Sequence, residues 1–241
     1  MRSALLLLLV AACSPDVKTY GVVPGGPGVP STGDDDGSGS GSSTVDANPD
    51  LIEGLVCLLA DPRNFTSCET TGAGGLTVAL PGVLAATTAD DGTFAIAIPT
   101  GSNLAWTVTG ANIMPSTIGF GASAIIPAIA TVDFTNLADD NGVVVDPGTG
   151  TILGQVSQNG TTATGVIAVS TPAGEYPTFY ASATDPVIWS ASSTEAFGTF
   201  WMAGLAPGST SIAFTPNGGT VEQIDNVPVV AGGITFLTFG L

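Results

Sequence analysis

From residue 51 to residue 241, glycine or proline recurs about every ten residues, and this punctuation confines the chain to short elements. Between the breaks the pattern is that of strands. In Thr93-Phe94-Ala95-Ile96-Ala97-Ile98 large and small residues alternate, and Leu104-Ala105-Trp106-Thr107-Val108 resumes the period of two after a turn at Pro99 to Asn103. With 33 glycines, 17 prolines and abundant threonine and valine, little room is left for an uninterrupted helix. Short strands with turn signals at this spacing predict an all-β sandwich or small barrel.

The same stretch repeats itself. Ile52-Glu53-Gly54-Leu55-Val56 returns as Ile152-Leu153-Gly154-Gln155-Val156, an offset of 100, and Gly92-Thr93-Phe94 returns as Gly198-Thr199-Phe200, an offset of 106. Ala130 to Leu137 parallels Ile234 to Leu241, with the two leucines 104 apart. A near-constant offset over three landmarks in the same order predicts a tandem duplication of a unit of about 90 residues. The expected organisation is a first β-sandwich at 51–140, a linker at 141–150 and a second β-sandwich at 151–241.

The turn motifs carry a resemblance. Asp90-Asp91-Gly92-Thr93-Phe94 leading to Gly101, and Phe197-Gly198-Thr199-Phe200 leading to Leu205-Ala206-Pro207-Gly208, resemble carboxypeptidase regulatory-like domains. The opening Gly54-Leu55-Val56 and Gly154-Gln155-Val156, and the closing segment after Ala231-Gly232-Gly233, are similar to that family too. The second unit departs from the motif with Phe197 in place of the aspartate, and the first has Thr100-Gly101 in place of proline-glycine. The resemblance implies two tandem antiparallel, Greek-key-type, transthyretin-like sandwiches that act as scaffold or binding accessory, without catalytic residues or a cofactor.

The N-terminal fifty residues give an address. Arg2 precedes the apolar run Ala4 to Val10, which is far shorter than the roughly 20 residues that cross a bilayer core. The run ends in Val10-Ala11-Ala12-Cys13, which resembles a bacterial lipobox, so 1–12 is expected to be a signal peptide and Cys13 the lipidated residue. By resemblance to diderm lipoproteins, Ser14 after the cysteine directs the protein to the outer membrane. Residues 13–50 are rich in Gly, Ser, Asp and Pro and include Asp34-Asp35-Asp36, too polar to bury a core, so they are expected to stay disordered as a tether. Such a coil spans roughly 35 Å on average and about 120 Å when extended.

With Cys13 assigned to lipid, Cys57 and Cys68 remain as a pair in an exported chain. A disulfide is the leading reading and a buried thiol pair the alternative. Two sulfurs without histidine cannot complete a zinc shell, so no metal site is expected.

Chemistry is limited by what the chain lacks. It has no histidine, and behind the signal the only bases are Lys18 and Arg63. Nucleophile-histidine systems are excluded, and a serine-lysine pair would need Lys18 from the tether. Twenty acidic residues with so few bases repel nucleic acid and anionic surfaces. Carboxylate pairs survive this test, but neighbours on a strand point to opposite faces, so Asp90-Asp91 and Asp139-Asp140 read as turn formers.

Binding remains open. Glu175 to Tyr180, with Trp189 and Trp201, gathers aromatics that can stack on sugar rings. Trp201 and Phe200 read as core by their alternation, whereas Tyr176 and Tyr180 flank Pro177 and are the candidates for exposure to a ligand. The sequence therefore points to a non-catalytic, membrane-anchored module whose partners are envelope proteins or polysaccharide. A glycan-binding lipoprotein is the alternative reading. A small transmembrane barrel is a lesser one, against which stand three tyrosines for two aromatic girdles.

Overall fold

The computed structural model describes residues 50–83, 85–98, 105–119 and 125–241. Cys13, the tether and the Gly101 turn lie outside the described residues. In chain order the first unit contains β1 (Asp50–Leu58), β2 (Thr77–Ala79), β3 (Ala86–Thr87), β4 (Thr93–Ile98), β5 (Ala105–Thr109), β6 (Ser116–Gly119), β7 (Ile125–Ala128) and one helix, α1 (Thr131–Asp140). The second contains β8 (Gly150–Gln158), β9 (Thr161–Thr162), β10 (Ile167–Thr171), β11 (Phe179–Tyr180), β12 (Thr199–Leu205), β13 (Gly208–Thr215), β14 (Glu222–Val229) and β15 (Ile234–Gly240).

The fold is all-β with packed, open sheets rather than a closed barrel. In the first unit β4-β1-β7 form one sheet; in the second β10-β13-β14 form another. The third sheet belongs to both units, in the order β11-β12-β8-β15-β6-β5-β2-β3, with β9 attached to β8. Its junction is the parallel pairing of β15 with β6, from Ile234 opposite Ser116 to Phe236 opposite Ile118. The two sandwiches are thus fused edge to edge, which covers two strand edges that would otherwise be open to aggregation.

The repeated motifs occupy equivalent registers. Gly54 lies opposite Phe94 where β1 pairs with β4, and Gly154 lies opposite Phe200 where β8 pairs with β12. Val56 N–H donates to the carbonyl of Gly92 at 2.9 Å, and Val156 N–H to that of Gly198 at 2.8 Å. Both acceptors have positive φ, 83° at Gly92 and 65° at Gly198, which favours glycine. A side chain there would also meet the carbonyl oxygen of Val56 or Val156. The Gly-Thr-Phe triplet therefore encodes a turn followed at once by an aromatic that lies across the opening strand's glycine.

Three strands of the second unit, β8, β12 and β15, are buried on both faces. Ile152, Val156, Phe200, Met202, Leu237 and Phe239 point into a core internal to that unit. Leu153, Trp201, Ala203, Ile234 and Phe236 point the other way, into a core they share with Val56, Phe94, Trp106 and Ile126 of the first unit. Burial of each aromatic contributes about 2 to 3 kcal/mol. Double-sided burial explains why β12 and β15 read as near-continuous apolar runs instead of alternating.

One expectation is corrected. Residues 131–140 form a helix, not the counterpart of the closing strand of the second unit. Phe134, Leu137 and Ala138 are the buried positions, a spacing of three and four that only a helix puts on one side. Asp133 sits in the first turn, where the helix dipole favours an acid, and Phe134 packs edge-on against Trp201 at 5.9 Å. The structural counterpart of β15 is β7, since each runs parallel to the opening strand of its unit.

Candidate functional site

The features that set this chain apart gather where the units meet. Cys57 lies opposite Pro127, one pair before the end of the ladder of β1 against β7, and Cys68 returns beside it through a bridge between Leu59 and Cys68. The two form a disulfide with Cα atoms 5.0 Å apart. The loop it closes reaches into the second unit. Phe65 is buried and meets Phe236 of β15 edge-on at 5.4 Å. Arg63 binds Asp61 through two nitrogens, Nε at 3.0 Å from Oδ1 and Nη2 at 2.8 Å from Oδ2, while its Nη1 donates to the carbonyl of Ser182 at 3.1 Å. The guanidinium carbon also lies 4.5 Å from the centre of the Phe197 ring, and the Thr199 hydroxyl donates to the Arg63 carbonyl at 2.7 Å.

Burial alone would push the Asp61 carboxyl up; the hydrogen bonds and charge of Arg63 outweigh it and hold the group below the usual carboxylate range. The only base from residue 50 onward is therefore committed to a clamp between units. In the sequence Arg63 stands out only as a rare base. The available signal was its position inside the Cys57–Cys68 loop, two residues after Asp61.

A second junction involves the connection from α1 to β8. Asn141 donates its side-chain N–H to the carbonyls of Leu137 at 2.8 Å and Val187 at 2.9 Å, and its Oδ1 accepts from Trp189 N–H at 2.8 Å. Val144 N–H donates to the Tyr176 hydroxyl at 3.0 Å. Tyr176 is half-buried and packs against the shared core, so one of the two candidate tyrosines braces the connection between the units.

The other is corrected outright. Tyr180 is only 4% exposed and faces the core of the second unit, so its ring cannot stack on a ligand. Its hydroxyl accepts from Ala168 N–H at 2.8 Å and donates to the Ala168 carbonyl at 3.2 Å. That occupies backbone groups on the outer edge of β10, which pairs on its other side with β13. Burial raises the Tyr180 pKa, opposed by its bonds to Ala168 and Thr178. Tyr180→Phe is expected to lower stability by about 1 to 3 kcal/mol, because it orphans a buried backbone donor; urea denaturation measures this, and an unchanged midpoint would count against the edge-sealing role.

The acid pairs do not converge. Asp91 accepts the backbone and side-chain donors of Thr93, at 3.0 and 2.6 Å, and shapes the turn before β4. Asp139 and Asp140 close α1 on an exposed surface. Among the described residues no three His, Cys, Asp or Glu side chains group closely enough to hold a metal ion.

The described residues thus define an all-β pair of sandwiches, joined by one sheet and held together by a disulfide-closed loop. No family model and no curated protein matches the chain. Among solved structures, the Bacillus anthracis TIE protein aligns at 12% identity over 79% of this chain and 33% of that one, with a TM-score of 0.25. The chain spans about a third of the length of that structure.

Proposed function

We propose that this protein is an exported lipoprotein, anchored to the outer membrane through Cys13, that presents two carboxypeptidase regulatory-like sandwiches as a non-catalytic structural or interaction module. The observation that carries the reading is the commitment of Arg63. A folded region without histidine or lysine, whose one arginine is tied to Asp61 and to the Ser182 carbonyl, offers no imidazole or amine to activate a nucleophile and no uncommitted cation to bind phosphate. The repeated glycine-phenylalanine register supports descent of both units from one module. The fused sheet supports presentation of the pair as one body at the end of a tether.

Membrane fractionation tests the address. Cys13→Ala is expected to move the protein from the membrane pellet to the soluble fraction and to abolish incorporation of labelled fatty acid. A Cys13→Ala chain still in the pellet after a high-salt wash would remove the basis for anchoring.

A further inference from the structure

The bonds around Asn141 bring together two loops 40 and more residues apart and leave aliphatic side chains facing outward. Asn141 ties the α1 connection to Val187 and Trp189, and Tyr176 ties it again at Val144. On the other loop, Asp185 accepts the N–H groups of Val187 and Ile188 at 2.9 and 3.1 Å, which sets that turn. On this bonded frame Val144 is 73% exposed, and Val145, Val187 and Ile188 are each more than a third exposed. Exposed apolar side chains on two loops that hydrogen bonds hold together mark an interaction surface more often than isolated exposed ones do.

The charge around them selects the occupant. Asp139, Asp140, Asp146, Glu175 and Asp185 are all exposed and lie within a few residues, along the chain, of the aliphatic positions or of Tyr176. The field of Arg63 reaches Asp185, but no other base is present from residue 50 onward to offset the remaining acids. A second copy of this chain would set the same acids against one another, and an anionic polysaccharide or lipid surface would be repelled. We propose that this face docks a cationic amphipathic polypeptide segment, with aliphatic residues seated on Val144, Val145, Val187 and Ile188 and Lys or Arg paired with the surrounding acids. The proposal rests on the interaction-module reading and names its partner class.

A synthetic amphipathic Leu/Lys peptide, titrated calorimetrically into the purified full chain, tests it, with an oligolysine of equal charge as comparison. The Leu/Lys peptide is expected to bind more tightly than oligolysine and to protect 141–149 and 185–189 from hydrogen exchange. Val144→Asn with Ile188→Ser should weaken binding about tenfold or more, since two anchor truncations at a docking core commonly exceed that loss. Asp139→Asn with Asp140→Asn should reduce both affinity and its salt dependence. Equal binding of the two peptides, an unchanged affinity in the aliphatic variant, or protection elsewhere on the chain would overturn the proposal. So would self-association through these loops without peptide. If a variant fails to fold, the exchange footprint on the unaltered chain decides. None of these readouts depends on Cys13, so failure here leaves the anchoring test standing.

Discussion

Gly154→Ala is expected to destabilise the protein by about 1 to 3 kcal/mol or more, although alanine suits a strand at least as well as glycine does. The cause is the ring opposite. A Cβ on Gly154 would overlap Phe200, which is fully buried and lies across β8 at that register. Phe200→Ala alone is expected to cost about 3 to 5 kcal/mol through lost burial and the cavity left behind. In the double variant the added methyl group enters the space the ring vacated, so the two costs should fall short of their sum by more than about 1 kcal/mol. Urea denaturation of the four chains measures the coupling. Costs that add to within about 0.5 kcal/mol would show that the glycine is not there for the ring.

The second large effect is expected at the loop that clamps the units. Phe65→Ala should cost about 3 to 5 kcal/mol, because its edge-on contact with Phe236 sits in the core that both units share. Replacing Cys57 and Cys68 together by alanine should cost about 3 kcal/mol by releasing a short closed loop. Both variants should still unfold in one transition, with exchange protection of β1 and β12 lost together. Separate melting of the units, or a Phe65→Ala chain as stable as the parent, would contradict the shared core.

Much of this fold is legible in the sequence. The glycine in the middle of β1 and of β8, the Gly-Thr-Phe triplets that lead into β4 and β12, and the pairing of Cys57 with Cys68 are local features, and each has a direct physical cause in turn conformation, close packing or oxidation. Trp201 and Phe200 were legible as core, but not as members of two different cores. Pro177 did mark an edge, since β11 ends its sheet; an edge position does not say which way Tyr180 points, and the ring turns inward to seal β10. At Ala130 to Leu137 the resemblance to the last strand misled. Phe134, Leu137 and Ala138 share one side only on a helix, and the ring of Trp201 is part of the surface that helix covers.

The sequence by itself determined the class: short strands, repeated units, an acidic chain nearly free of bases, and two cysteines eleven residues apart in the first unit. Those properties follow from residue identity and near-neighbour spacing, which act over a few residues. Tertiary structure alone decided that β15 pairs with β6, that the disulfide loop reaches Phe236, that Arg63 is spent on Ser182 and Phe197, and that Asn141 ties the connection after α1 to Val187. An apolar strand can satisfy its backbone against any free edge and its side chains against any apolar face. Contacts between residues tens of positions apart choose among those options, and the spacing of one segment carries no record of them.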